Sequence, residues 1–374
     1  MKIGVLTSSR ADFGVYTPLL KELFSDTFFQ PEIIAFGTHL SRMHGKTINE
    51  IIKNNFPVKH QLNTTPLNDT PYAIASSLGK TVKLFSTFWN NEKFDLVLAI
   101  GDRYEMFAAV TAGSPFNIKF AHLYAGETTL GAIDNFYRHC ISLMSEYLFV
   151  STEEYKKRAI EIVQKPQNVF NVGALSIDNL KKIDLYNINE FKSIFNIDLN
   201  KQTILTTFHP ETVSIEKNKK YIVDLIASLE ELKNKYQIVI TMPNSDTFGL
   251  MIRNKIKKFA SGKANIFLVE SFGMKGYLTC MKYCSFLLGN TSSGFVEASF
   301  FPKPVINIGK RQEGRIITPN IINCEISYKR ILNAVKKVET GLSLSTSTKT
   351  QIYGNGNTSK KIIKVLKTIK IKEF

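Results

Sequence analysis

The chain has 374 residues, of which 44% are hydrophobic and 21% charged, with a formal net charge of +16 and four cysteines. This length predicts two domains, and no apolar run approaches the roughly 20 residues that span a bilayer. The scattered cysteines form neither a disulfide framework nor a complete zinc-binding pattern, which favours a reducing, cytoplasmic location.

The positive charge would allow nucleic acid as a partner, but the lysines are spread along the chain and no nucleic-acid-binding motif is present. We therefore predict a small anionic partner, with no nucleic acid and no membrane. The arginines support this, because a planar guanidinium that binds phosphate or carboxylate is not replaceable by lysine. Five of them fall at predicted strand ends or in motif-like stretches: Arg10, Arg103, Arg138, Arg311 and Arg315.

Short β-type runs alternate with longer amphipathic runs, which predicts parallel α/β sheets. The strands predicted in the first half are Lys2–Thr7, Gln30–Phe36, Phe56–His60, Leu96–Ile100, Lys119–Leu123, Tyr147–Val150 and Val169–Val172. The helices between them include Val15–Phe24, Tyr72–Asn91, Arg103–Ala112 and Glu153–Gln164. A second series has strands at Ile204–Phe208, Gln237–Thr241, Ile266–Val269, Phe286–Leu288 and Pro304–Ile308.

The two series predict an α/β fold with two doubly wound, Rossmann-like domains that face a central cleft. We place the N-terminal domain at residues 1–178 and the C-terminal domain at residues 179–355, with the join in a polar stretch around Leu175–Asn200. Residues 356–374 are expected to pack a final helix, Ile362–Ile371, back on the N-terminal domain. Ligands bind beyond the carboxyl ends of the strands in such sheets, so candidate site residues are those that follow each strand.

Polar residues follow the first two predicted strands. The turn after Lys2–Thr7 contains Ser9 and Arg10, which could clamp a diphosphate or merely cap the next helix. His39 follows the second strand and is a candidate to face a sugar, although a histidine in a loop is often only a surface residue.

Three carboxylates are expected on one wall of the cleft. Asp102 ends the apolar strand Leu96–Ile100, where a carboxylate is costly unless it is paired or used. The neighbouring Arg103 could simply pair with it. Glu127 follows the next strand and Asp134 comes shortly after. Like charges in proximity raise one another's pKa, which would suit acid/base roles.

Asp134 and Arg138 are four residues apart on a predicted helix and would share one face. A metal site formed by His122, Glu127 and His139 is conceivable, but the spacing fits no standard ligand pattern. We therefore predict no metal.

The second half offers contacts for a nucleotide. His209 ends the strand Ile204–Phe208 before a proline turn, which is typical of a phosphate-binding or acid/base residue. Asn244 lies in the polar loop after Gln237–Thr241, and Phe272 could stack on a base.

A strand that leads through small hydroxyl residues and glycine into a helix is the clearest motif of the chain. Its candidates for diphosphate binding are Thr291, Ser292, Ser293 and Gly294. A helix start there would hold phosphate through backbone N–H groups and the helix dipole, with Glu297 accepting hydrogen bonds from a ribose. The alternative is an ordinary Ser/Thr N-cap. Arg311 follows the last predicted strand. Carboxylates on one wall and nucleotide contacts on the other suit a nucleotide-sugar.

These motifs together resemble the hydrolysing UDP-N-acetylglucosamine 2-epimerases of sialic acid biosynthesis, a branch of the UDP-sugar 2-epimerases with the GT-B fold. The stretches that carry the resemblance are Ser9–Gly14, Gly101–Glu105, Gly126-Glu127, Ile133–His139, Phe208–Glu211, Gly289–Glu297, Asn307–Arg315 and Tyr353–Gly356. They occur in order over nearly the whole chain.

The resemblance implies conversion of UDP-GlcNAc to N-acetylmannosamine and UDP through a 2-acetamidoglucal, without a metal or redox cofactor and in a homodimer or homotetramer. It gives acid/base work to Asp102 and Asp134, with Glu127 close by, and makes His209 assist the leaving phosphate. It also implies the remaining contacts. The diphosphate would be held by Arg10, Ser292, Ser293 and Gly294, the ribose by Glu297, and the anionic side of the substrate by Arg311. The sugar-facing set is His39, Tyr124, Arg138 and His139.

One residue departs from the pattern of many relatives, which have glutamate where this chain has Tyr124. Either Glu127 takes over that role or Tyr124 orients the sugar. Three other functions stay open. These are a hydrolysing 2-epimerase of UDP-2,4-diacetamido-2,4,6-trideoxyglucose from the legionaminic acid route, a glycosyltransferase of the same fold, and a nucleotide-sugar sensor without turnover.

Overall fold

The structure is a computed structural model that describes residues 1–42, 45–66, 68–243, 247–301, 303–341 and 351–369. The strands, in chain order, are β1 Lys2–Thr7, β2 Gln30–Phe36, β3 Val58–Leu62, β4 Leu96–Ile100, β5 Phe120–Leu123, β6 Tyr147–Val150, β7 Val169–Asn171, β8 Thr203–Thr207, β9 Gln237–Thr241, β10 Ile266–Val269, β11 Phe286–Gly289, β12 Val305–Ile308 and β13 Ile321–Cys324.

The α-helices are α1 Arg10–Ser25, α2 Ile48–Lys53, α3 Pro71–Asn91, α4 Tyr104–Gly113, α5 Asp134–Leu143, α6 Glu153–Val163, α7 Leu175–Lys182, α8 Ile188–Phe195, α9 Asn218–Leu232, α10 Gly249–Ala260, α11 Gly273–Tyr283, α12 Glu297–Phe300, α13 Tyr328–Glu339 and α14 Thr358–Thr368. Among the residues described, no helix is long and apolar enough to cross a membrane.

The chain divides into two compact units. Unit 1 contains Met1–Glu127, Asp134–Lys181 and Ile352–Phe374, and unit 2 contains Thr128–Ile133 and Lys182–Gln351. Each unit is built on one parallel sheet, with strand order β3-β2-β1-β4-β5-β6-β7 in unit 1 and β10-β9-β8-β11-β12-β13 in unit 2. The predicted α/β class with two doubly wound sheets is therefore confirmed.

The core of unit 1 follows from its apolar central strands. All five residues of β4 are buried, as expected of a parallel strand with helices on both faces of its sheet. Helix α1 starts at a capping box in which Ser9 Oγ accepts from Asp12 N and Asp12 Oδ2 accepts from Ser9 N at 3.0 Å. This cap explains why α1 begins before the predicted Val15.

The last helix belongs to unit 1. Ile362 and Leu366 of α14 are buried in the same core as β1 and β4, and α14 packs against α1. Its first turn is capped by a distant side chain, because Asp178 accepts hydrogen bonds from Thr358 N at 2.9 Å and from Ser359 N at 2.8 Å. A cap supplied from α7 leaves no local sequence signal at the start of α14.

Asp178→Ala is expected to destabilise the docking of α14 by about 1–3 kcal/mol, because it leaves two buried N–H donors without their acceptor. Amide hydrogen exchange should accelerate across α14 while β8–β13 stay protected. Asp184→Ala, at an exposed position in the loop between α7 and α8, is the control. Unchanged exchange in α14 of the Asp178 variant would show that the cap is dispensable.

One segment from the first half of the sequence packs in unit 2. In Thr128–Ile133, Leu130 N donates to Glu313 O at 2.9 Å and Ile133 N donates to Thr212 Oγ1 at 2.8 Å. A Cβ on Gly131 would lie 2.4 Å from Lys310 O, so only glycine allows this approach of the two backbones.

The elements that the sequence misplaced are short or polar. The stretch around Leu175–Asn200 contains α7 and α8, and β13 was not predicted. The strand predicted at Phe56–His60 lies at Val58–Leu62, and the last helix begins at Thr358 rather than Ile362. The domain limits 1–178, 179–355 and 356–374 stay a prediction.

Candidate functional site

Each sheet has one point where the strand order reverses, and candidate residues follow the strands there. In unit 1 the neighbours β1 and β4 lead into Arg10 and Asp102. In unit 2 the neighbours β8 and β11 lead into His209 and Thr291. The carboxyl ends of strands at such a switch point form the usual ligand crevice of an open α/β sheet.

Arg138, on α5, is the centre of the polar cluster in unit 1. Its Nη2 donates to Asp102 Oδ2, its Nη1 donates to Tyr124 O at 2.8 Å, and its Nη1 lies 3.6 Å from Glu127 Oε2. Ser151 Oγ donates to Glu127 Oε1 at 3.2 Å. One guanidinium therefore compensates two carboxylates that would otherwise repel each other.

The two carboxylates differ in access. The side chain of Asp102 is 23% exposed, whereas those of Glu127 and Arg138 are 2% and 3% exposed. A substrate atom can reach Asp102 while Arg138 remains buried behind it. Asp134 begins α5, and the pairing of Arg138 found here is with Asp102 and Glu127 rather than with Asp134 along the helix.

His122 supports the backbone next to Asp102. Its Nε2 lies 2.7 Å from Gly101 O and its Nδ1 lies 2.9 Å from Ser142 Oγ. A carbonyl oxygen only accepts, so Nε2 carries the proton, and Nδ1 is in hydrogen-bond contact with a hydroxyl that also donates to Arg138 O at 3.0 Å. Burial lowers the pKa of His122 to about 3. Both ring nitrogens are engaged, so a metal site with His122 as ligand is not formed in this arrangement.

Two buried histidines make stability depend on pH. Burial lowers the pKa of His39 to about 4, and that of His122 to about 3. Below the unfolded-state pKa of about 6.5, the unfolded chain binds these protons and the folded chain does not. Each histidine should therefore lower the free energy of unfolding by up to about 1.4 kcal/mol per pH unit as the pH falls from 6 toward 4.5.

Urea denaturation at a series of pH values measures this slope. His39→Asn and His122→Asn should each flatten it, whatever their effect on stability at neutral pH. A slope that is the same in the wild type and in both variants would contradict the buried, neutral state of the two rings.

His39 is placed differently from the prediction that it faces a sugar. It is 0% exposed and is held between Thr7 Oγ1 and Thr47 Oγ1, each 2.9 Å from a ring nitrogen. A ring that is enclosed on both sides joins the end of β1 to the start of α2 and offers no surface to a ligand. Sequence alone could not distinguish this from an exposed loop histidine.

Tyr124 has a left-handed backbone, with φ of 62°. Its hydroxyl accepts from Ser176 N at 3.2 Å, at the start of α7. The phenol group therefore anchors α7, and the contribution of Tyr124 to the cluster is its carbonyl, which binds Arg138. Among the other candidates on this side, Arg10 is the first residue of α1 and is half-buried. His139 is also half-buried on α5, where burial lowers its pKa.

Arg103 does not neutralise Asp102. Its Nε and Nη2 each donate to the Glu105 carboxylate at 3.1 Å, and Glu105 is fully buried at the start of α4. The simple Asp102–Arg103 pair considered from the sequence is thus not formed. Arg103 pairs with Glu105, and Asp102 pairs with Arg138.

In unit 2, the fully buried Asn290 connects the candidate residues. Its side chain accepts from His209 N at 2.7 Å and donates to His209 O at 2.8 Å. Its carbonyl accepts from Gln312 Nε2 at 2.9 Å and lies 3.5 Å from Arg311 Nη1. His209 and Arg311 are therefore brought to one place at the ends of β8, β11 and β12.

The hydroxyl-rich turn after β11 does not itself begin the α-helix that the sequence predicts there. Ser292–Gly294 forms a single 3-10 turn, and the helix that follows, α12, has only four residues and starts at Glu297. A helix of one turn has little dipole to offer an anion. Gly294 N donates to Thr291 O at 3.2 Å, which closes the turn, so the predicted contact of that N–H with a diphosphate is not supported.

Ser293 Oγ in this turn lies 2.6 Å from the hydroxyl of Tyr277 and 3.2 Å from Thr291 Oγ1. Ser292 is exposed. Phosphate binding here would accordingly depend on the hydroxyl of Ser292 and on Arg311 more than on a helix terminus.

Phe272 and Asn244 are the two remaining residues that the sequence predicts to contact the nucleotide. Phe272 is 7% exposed, with its ring centroid 5.4 Å from that of Phe191 and 4.9 Å from that of Phe195. A ring packed in this core cannot stack on a base, which corrects the prediction made for it. Asn244 lies outside the described residues.

The residues that the sequence did not single out are the buried connectors Asn290, Gln312, Ser151 and Ser142. Their polar side chains lie within or next to recognised motifs, but their partners are distant in sequence. Among the described residues, a cluster that could hold a metal ion is formed by Glu32, His60 and Glu92. Glu32 already pairs there with Lys59 at 2.5 Å.

Comparison with known proteins places these features in context. A family model described as UDP-N-acetylglucosamine 2-epimerase matches residues 21–367. A Campylobacter jejuni protein named GDP/UDP-N,N'-diacetylbacillosamine 2-epimerase (hydrolyzing) is 36% identical over 329 residues, which are 87% of this chain and 85% of that protein.

A Legionella pneumophila protein named UDP-N,N'-diacetylbacillosamine 2-epimerase (hydrolyzing) is 31% identical over 368 residues, 98% of this chain and 96% of its own. The crystal structure of a Neisseria meningitidis UDP-GlcNAc 2-epimerase bound to UDP-GlcNAc superposes with a TM-score of 0.81 at 19% identity, covering 99% of this chain and 100% of that one. The fold is of the GT-B type.

Proposed function

The chain belongs to the UDP-N-acetylglucosamine 2-epimerase family, and from this premise we propose that it is a hydrolysing 2-epimerase of UDP-2,4-diacetamido-2,4,6-trideoxyglucose. This sugar is N,N'-diacetylbacillosamine, the substrate that the names of the Campylobacter and Legionella relatives give. UDP-N-acetylglucosamine, the first expectation from the sequence, becomes the second candidate and is supported by the description of the family.

The observation that carries the proposal is the pair of carboxylates on Arg138. Abstraction of a proton from C2 of a sugar requires a carboxylate held in place and a route for substrate to reach it. Asp102 meets both requirements, since it is bound by Arg138 and is the more exposed member of the pair. We assign it as the base, with the buried Glu127 holding Arg138 in position.

The reaction balances without a cofactor. Asp102 takes the proton from C2 as the bond between C1 and the diphosphate oxygen breaks, which forms a C1–C2 double bond and releases UDP. Water then adds across the double bond. Its hydroxyl joins C1, and Asp134, protonated at this stage, gives its proton to C2 on the face opposite to the one that lost the first proton. The proton left by the water returns to the Asp134 carboxylate, and Asp102 releases its proton to solvent. The products are UDP and the free 2,4-diacetamido-2,4,6-trideoxymannose. Groups that stabilise the departing diphosphate lower the barrier of the first step. We assign this to Arg10, His209, Ser292 and Arg311, and contact with the ribose to Glu297.

The two candidate substrates differ at C4 and C6 alone. The diacetamido sugar has an acetamido group in place of the C4 hydroxyl and a methyl group in place of the C6 hydroxymethyl. A site that binds the methyl group gains from its burial, and a site that hydrogen-bonds a C6 hydroxyl rejects the sugar that lacks it.

The test is UDP release from each donor, together with proton NMR of the sugar product in D2O. We expect deuterium at C2 of a free manno-configured product, and a higher kcat/KM with the diacetamido donor. A higher kcat/KM with UDP-N-acetylglucosamine would reverse the substrate assignment. Transfer of the sugar to an acceptor, or binding without UDP release, would refute the epimerase and favour the glycosyltransferase or the sensor.

The homodimer or homotetramer and the cytoplasmic location inferred from the sequence remain proposals. The four cysteines, all free, agree with a reducing compartment.

A further inference from the structure

Asn290 lies where β8 and β11 end side by side, at the switch point of the unit 2 sheet. It is 0% exposed, and its amide makes two hydrogen bonds to the main chain of His209. The amide has a donor and an acceptor next to each other, which is the arrangement needed to bind an N–H and a C=O of the same residue. Aspartate cannot donate, and glutamine is longer by one methylene group.

The main chain of Asn290 also contacts neighbouring segments of the candidate site. Its N–H donates to Thr207 O at 3.1 Å, and its carbonyl accepts from Gln312 Nε2 and lies near Arg311 Nη1. The loop that carries Arg311 is also held from its other side, because Lys310 N donates to Glu211 Oε1 at 2.5 Å. The next residue after Asn290 is Thr291, which starts the hydroxyl-rich turn. One buried residue thus links three segments of the candidate site.

We propose that Asn290 is a positioning residue for the reaction, which acts by holding His209 in the orientation that assists the departing diphosphate. The inference rests on the proposed function. A group that assists a leaving phosphate is effective only within a narrow range of distance and angle, so a displacement of about 1 Å costs up to about 100-fold in rate. The backbone of His209 is fixed at both its N–H and its C=O by Asn290, which restricts where the imidazole can lie.

A double-mutant cycle tests whether Asn290 acts through His209. In the background that retains His209, Asn290→Ala should lower kcat by about 10–100-fold. In the His209→Asn background the same change should lower kcat by less than about threefold, because the group that Asn290 positions is no longer there. Asn290→Asp keeps the acceptor for His209 N but places a carboxylate against His209 O, so it should not restore kcat.

The matched control is Asn320→Ala. Asn320 is a buried asparagine of the same unit, whose amide donates to Lys303 O at 2.8 Å and accepts from Thr318 Oγ1 at 2.6 Å. It should lower Tm without lowering kcat in either background. If Asn290→Ala costs the same factor with and without His209, the two residues act independently and the inference is overturned.

A second readout does not depend on turnover. In protein labelled with ¹⁵N-histidine, UDP should shift the imidazole resonances of His209 in the wild type. In the Asn290→Ala variant, UDP should still bind, as measured by calorimetry, but should leave these resonances unshifted. An equal shift in both proteins would overturn the inference. If the wild type releases UDP from neither sugar, the proposed function fails, and the imidazole response still decides the role of Asn290.

Discussion

Asp102→Asn is expected to lower kcat by about 10²–10⁴-fold while UDP binds with nearly unchanged affinity. Asparagine keeps the shape of the side chain and can still accept a hydrogen bond from Arg138, but its neutral amide cannot take a proton from C2. The size of the effect is that of a lost general base. UDP affinity should persist because the residues assigned to the diphosphate include Ser292 and Arg311, which belong to the other unit.

The measurements are kcat for UDP release and the dissociation constant of UDP by calorimetry. Exchange of the C2 proton with D2O should be lost together with UDP release, because both follow from the same proton abstraction. Asp184→Asn, at an exposed position, is the control and should have the activity of the wild type. An Asp102→Asn variant with kcat within threefold of the wild type would exclude Asp102 as the base.

Arg138→Met is expected to have the largest effect on stability, about 3–5 kcal/mol, and to abolish activity. Removal of one member of a buried ion pair leaves its partner charged and uncompensated, and here the partners are two carboxylates. Arg138→Lys should be intermediate, because a single ammonium cannot replace a planar group that bonds Asp102 and Tyr124 O from separate nitrogens.

A second substitution distinguishes the loss of charge compensation from the loss of packing contacts in the Arg138 variant. Arg138→Met combined with Glu127→Gln should recover a large part of the lost stability, since it removes the more deeply buried carboxylate, but it should not recover activity. Urea denaturation and UDP release measure the two quantities. Arg330→Met, in which the side chain is 69% exposed and 3.9 Å from Glu325, is the control and should change stability by less than about 0.5 kcal/mol. Equal destabilisation of the single and double variants would show that charge compensation is not what Arg138 provides.

The parts of the fold that the sequence predicts are those in which periodicity and burial agree. The apolar run of β4 and the polar residues after it predict both the central strand and the position of Asp102, because a parallel strand must be buried and must end at a ligand-binding edge. The strand β13 was not predicted because it is a short edge strand in which only Ile321 is buried, so it lacks the apolar run of a central strand.

The partners within the site are less predictable, since they are distant in sequence. Nothing near Asp102 indicates that Arg138 rather than Arg103 will pair with it, and Asn290 bonds a residue 81 positions earlier. His39 and Phe272 are also of residue types that occur both in a core and in a ligand site. Only their burial in the structure shows that they belong to the core. A helix start was expected at the hydroxyl-rich turn, whereas Ser292–Gly294 forms a 3-10 turn and the four-residue helix α12 begins only at Glu297.

Thr128–Ile133 comes from the first half of the sequence but packs in unit 2, and this limits how the protein can be divided into two fragments. The chain passes between the units at four places, after Glu127, Ile133, Lys181 and Gln351. A fragment cut at Lys182 and Gln351 would therefore lack the peptide that contacts the backbone of Lys310 and Glu313, and its complement would carry that peptide without its binding surface. Independent preparation of either half would require splicing: Thr128–Ile133 added to one piece and replaced by a short linker in the other.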